Sequence, residues 1–151
     1  MSNTISVIQN VKATFTKPYP HVCVDNALPD SIYNELEATF PAELVCSTQP
    51  HDGGITYRYK ANPALINGFL PSIWQEFFEY HTSSEYFRGC ISLFEASVEK
   101  YYPHLLEDLY NKPVSVRDID NSGHFVTDCQ FVIHEPVAET STSRTPHVDN
   151  P

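Results

Sequence analysis

Near its end the chain reads Arg144-Thr145-Pro146-His147-Val148-Asp149-Asn150-Pro151, and His147 and Asp149 are the residues best suited to chemistry. In a strand, residues i and i+2 point to the same face. His-x-Asp therefore sets an imidazole beside a carboxylate, where both can grip one metal ion. Those donors suit a ferrous ion, and one more histidine would complete a 2-His-1-carboxylate face whose far side stays open. The tripeptide is short and also arises as a surface histidine beside a turn aspartate. Its surroundings must decide.

Other candidates are weaker. His134 follows a strand-like segment and is the nearest substitute ligand, although a histidine at a loop edge is more often solvated. Glu135 and Glu139 could support a metal site or be ordinary loop carboxylates. Tyr57-Arg58-Tyr59-Lys60 could line an entrance but reads better as an edge strand. Trp74, Phe77, Phe78, Tyr86, Phe87 and Phe94 could suggest an aromatic groove. At helical spacing they read as core. Gly53-Gly54 lacks a phosphate-loop context and reads as a turn.

The elements that must hold these residues follow from periodicity. His21 to Asp25 reads as a short strand, and Ser6 to Phe15 as a strand or extended lead-in. Leu28, Ile32, Leu36 and Phe40 recur every fourth residue, the apolar stripe of a helix that Pro29 admits and Pro41 ends. After Pro71, Ile73 with Phe77 and Trp74 with Phe78 mark a second helix. Thr82 and Glu85 have capping-box spacing before a third, from about Ser84 to Phe94, with a helical stretch on to Tyr102. From Pro113 the pattern changes to strands, Val114–Ile119 and Asp128–Ile133, with a turn at Asn121–His124 between them. The layout is helices first, then antiparallel-type strands.

Composition excludes several classes. The chain has 151 residues, 41% hydrophobic and 13% aromatic, enough for one globular domain spanning 1–151. A net charge of −10 disfavours nucleic acid and anionic membrane surfaces as partners. No apolar run reaches the length of a membrane helix. Cys23, Cys46, Cys90 and Cys129 form no CxxC pair, and no secretory signal precedes them. They read as reduced, buried cysteines of a cytoplasmic protein.

The stretch Asp128-Cys129-Gln130-Phe131-Val132-Ile133-His134-Glu135-Pro136-Val137, a Ser/Thr-rich loop, and then Arg144 to Pro151 resembles the Fe(II)/2-oxoglutarate-dependent oxygenases related to prolyl hydroxylases. The opening, Tyr19 to Pro29, looks like that family's N-terminal strand entering its first helix. Trp74 to Phe94 is similar to the helical layer behind its sheet. The resemblance implies an α+β fold, with N-terminal helices packed on the first strands of an incomplete double-stranded β-helix (jelly roll). It implies His147 and Asp149 as metal ligands, Fe(II) and 2-oxoglutarate as cofactors with ascorbate as a further candidate, and hydroxylation of a small-molecule or peptidyl substrate. The family's second histidine and its 2-oxoglutarate-binding arginine have no match before Pro151. The expectation is an N-terminal fragment, inactive as it stands. Two rival readings are a non-catalytic binding domain with an incidental His-x-Asp, and a metal hydrolase whose further ligands the sequence does not space.

Overall fold

The computed structural model describes residues 5–50, 56–60, 62, 66–68 and 70–135. They form a mixed helix-and-strand structure with five α-helices and two small two-stranded sheets, neither closed. The helices are α1 (Asp30–Ala38), α2 (Ala42–Cys46), α3 (Ser72–His81), α4 (Ser84–Tyr101) and α5 (Leu106–Asn111), with a 3-10 turn at Pro103–Leu105. The strands are β1 (Thr56–Lys60), β2 (Val114–Val116), β3 (Phe125–Thr127) and β4 (Gln130–His134). Two compact units result. One runs to Pro41 and again from Lys60 to Gln130; the other comprises Ala42–Tyr59 and the chain from Phe131 on.

In the first unit the expected stripe holds. Leu36 is buried with Ile73 and Ile5, and Leu28, Ile32, Trp74, Phe77 and Tyr80 pack against them. Pro29 and Pro71 occupy the N-cap positions of α1 and α3 in extended conformations, which proline's fixed φ favours. α4 is one continuous helix, and Pro103 lies just beyond its C-cap, Tyr102. α5 folds back on α4, where Arg88 Nε donates to Tyr110 O at 3.1 Å and Tyr110 OH to Glu95 at 2.9 Å.

The cap of α4 differs from the expected one by one residue. Thr82 has helical dihedrals, and its hydroxyl donates back to Phe78 O at 2.7 Å, so it closes α3. Ser83 is extended and accepts from Tyr86 N–H at 3.1 Å, so it opens α4. His21–Asp25 is not a strand, nor is Ser6–Phe15. Only Phe15 and His21 pair, in an isolated antiparallel bridge. Val22 and Val24 have strand propensity but no neighbouring strand to pair with among the described residues.

The strands also differ from the expected arrangement. β2 and β3 are parallel, Val114 opposite Phe125 and Val116 opposite Thr127. Their connection spans only residues 117–124, short of the dozen or so that a parallel crossover usually takes. Three features allow it. Asp118 adopts φ 63°, a left-handed turn that aspartate tolerates. Asn62 donates its side-chain amide to Arg117 O, anchoring the start of the crossover. Gly123 passes so close to β2 that a Cβ there would lie 2.6 Å from Ser115 N. Thr127 Oγ1 then donates to Thr82 O at 2.6 Å and lies 3.0 Å from Ser115 O, which ties the α3–α4 joint to this sheet.

In the second unit β1 pairs with β4, as expected of an edge strand at Tyr57–Lys60. Val45, Thr56 and Phe131 are buried.

Candidate functional site

His147 and Asp149 lie outside the described residues, as does Glu139. The strand that precedes them is described. β4 covers Gln130–His134, and its Phe131 is buried at 2% exposure. His134 is exposed at the end of that strand, and its Nδ1 lies 3.1 Å from the hydroxyl of buried Thr56 on β1. That contact occupies one ring nitrogen in pairing the two strands. Glu135 follows, and its carboxylate, ahead of burial, holds the Tyr57 phenol above its ordinary range.

The remaining described histidines do structural work or face solvent. His81 is the most informative. It is 8% exposed and enclosed by Phe77, Tyr80 and Tyr86, with ring centroids 4.0, 5.2 and 4.6 Å away. Its Nε2 accepts from Val7 N–H at 3.4 Å, so Nδ1 carries the proton and donates to Phe77 O at 2.7 Å. This is a neutral imidazole, and burial pushes its pKa below 6.5 despite the Phe77 carbonyl. His21 stacks on Phe15, His124 abuts Phe125, and His104 sits exposed in the 3-10 turn. Among the described residues no group of three or more His, Cys, Asp or Glu side chains could hold a metal ion.

The cysteines are free, but not uniformly buried as expected. Cys23 and Cys46 are exposed, while Cys90 and Cys129 are half-buried. Both half-buried thiols resist ionisation. Burial raises Cys90, against a hydrogen bond from Tyr86, and burial followed by the Asp128 carboxylate pushes Cys129 up to about 11. The acidic crossover satisfies itself. Asp118 pairs with Lys60 at 2.9 Å, and the Ser122 hydroxyl, followed by the Ser122 N–H at 2.9 Å, holds the Asp120 carboxyl below the usual range.

One concavity stands out in the first unit. A wide-mouthed groove of about 490 Å³ runs between α1 and α3, lined by Leu28, Tyr33, Leu36, Glu37, Phe40 and Trp74. Phe40 and Trp74 meet edge to face at 5.9 Å. Tyr33 OH donates to Glu37 Oε1 at 3.3 Å across one helical turn. Sequence reasoning assigned Trp74 to the core and passed over Tyr33 and Glu37. Their i,i+4 spacing was the available signal.

No family model, curated protein or solved structure matches this chain. No helix among the described residues is long and apolar enough to cross a membrane.

Proposed function

We propose that the chain is part of an Fe(II)- and 2-oxoglutarate-dependent dioxygenase of the prolyl-hydroxylase-like type. His147 and Asp149 would be two of its iron ligands, and the strands the beginning of a jelly roll. One observation carries the reading: the order, between Gln130 and Pro151, of a strand, a Ser/Thr-rich sequence and His-x-Asp-Asn-Pro. The donor set supports it, since imidazole and carboxylate side by side suit a ferrous ion. Bound there, iron with 2-oxoglutarate and O₂ supplies oxidative hydroxylation of a C–H bond. This chain's own contribution would be the two ligands His147 and Asp149, which a strand would set on one face.

Succinate release from 2-oxoglutarate by the gene's full product, with and without Fe(II), tests this. His147→Ala and Asp149→Ala are each expected to cut release by more than about a hundredfold, since even outer-shell changes at such sites cost ten- to a hundredfold. Iron-independent release, or release that survives both substitutions, would refute the assignment.

A further inference from the structure

The α1–α3 groove combines features that an apolar core does not need. Three aromatic rings, of Tyr33, Phe40 and Trp74, line it together with a carboxylate, Glu37. The aromatic face is electron-rich and attracts a cation, most strongly where water is partly excluded. The Tyr33 hydroxyl holds the Glu37 carboxylate at the rim. Tyr33 is 54% exposed although it is a large ring, so the site is accessible.

Charge extends the argument beyond a single cation. α1 carries Asp30, Glu35 and Glu37, α3 carries Glu76 and Glu79, and neither helix has a lysine or arginine. The two helices that frame the groove are thus both acidic, and Glu37 sets one carboxylate in its lining. A free amine would meet only the aromatic corner and Glu37, whereas a peptide with several basic residues also meets the negative field of both helices. Leu28 and Leu36 supply an apolar floor suited to the four-carbon stem of a lysine, whose ammonium can then reach Glu37.

We infer that this groove binds a basic peptide segment through a lysine side chain, its ammonium held by Glu37 against the rings of Tyr33, Phe40 and Trp74. The site is independent of any iron chemistry at His147 and Asp149.

Trp74 is the only tryptophan in the sequence, so its emission reports on the groove directly. The 151-residue chain is titrated with a short synthetic peptide holding a central lysine between arginines. A saturable change in Trp74 emission is expected. Affinity should fall roughly tenfold or more when norleucine replaces the central lysine, and similarly for Glu37→Gln and Tyr33→Ala. Both substituted side chains are exposed, so circular dichroism should be unchanged. Glu99→Gln, on an exposed position of α4, should alter affinity by less than about twofold. Equal binding of the norleucine peptide would overturn the proposal in favour of apolar docking alone. A loss in Glu99→Gln equal to that in Glu37→Gln would overturn it in favour of a diffuse field. Tetramethylammonium competing at the peptide's own concentration would make the groove a small-amine site and sink the peptide assignment. No saturable change up to about 1 mM peptide would end it altogether.

Discussion

His81 is a buried histidine whose part is structural. Its two nitrogens are both satisfied, one accepting from Val7 and one donating to Phe77, and three aromatic rings exclude water around it. The folded state therefore prefers the neutral form. An unfolded chain takes up the proton at pH 6.5, the folded one only at lower pH. Stability is thus complete above that value and declines as pH falls through it, levelling off below the folded pKa. Urea unfolding between about pH 7.5 and 5.5 should show this slope, and His81→Phe should flatten it. A slope unchanged in the variant would assign it elsewhere. The thiols give a second check at this scale. Cys23 and Cys46 should react with a disulfide reagent at pH 8 well before Cys90 and Cys129, because the thiolate is the nucleophile and burial suppresses it in the latter pair. Four equally fast thiols would contradict the burial.

At the scale of elements, the main helices and the strands β1, β2 and β4 were legible, while the pairing of strands was not. The four-residue spacing of Leu28, Ile32 and Leu36, and the paired aromatics after Pro71, placed α1 and α3 and their buried faces. A period of about 3.6 is written in one helix's own residues and needs no partner to be read. Strand pairing is a relation between distant segments, and there the sequence misled. Val114–Val116 pairs in parallel with Phe125–Thr127, a strand too short to announce itself. The same limit applied to the caps. Thr82 and Ser83 are chemically interchangeable caps, and only the backbone angle separates them. Ser83→Ala should destabilise the protein by about 1 kcal/mol, and Thr82→Ser by less, as read by chemical denaturation. Gly123→Ala should cost about 1–3 kcal/mol, because its new methyl meets β2 backbone that cannot yield without breaking the pairing. A neutral Gly123→Ala would mean that the crossover does not approach β2 as closely as described.

The whole molecule is dominated by its charge. A net charge of −10 on 151 residues is a self-repulsion that compactness increases. Raising salt from about 10 to 200 mM should therefore raise the melting temperature, since the Debye length drops from roughly 30 Å to below 10 Å. A flat response would place the acids in local pairs, as for Asp118 with Lys60. The same acidity weighs against nucleic acid and towards cationic partners, in keeping with the role proposed for the α1–α3 groove. At this scale the candidate site was legible only as a motif. His-x-Asp names its donors in three positions, whereas the groove assembles from residues 28–40 and Trp74 and has no linear signature. Aromatic residues at helical spacing look alike whether they face a core or a cleft.

The crossover at residues 117–124 bears on how the chain reaches this structure. Parallel strands are ordinarily slow to pair, because a long excursion must close before any contact rewards it. Here the excursion is short, and loops of about ten residues close in roughly 10–100 ns. The β2–β3 pair thereby becomes a local event, able to form before Thr127 finds Thr82 far back in the chain. Pulse-labelled amides of residues 114–127 should then gain protection ahead of those in α1 and α3, an order of assembly opposite to the order of the sequence.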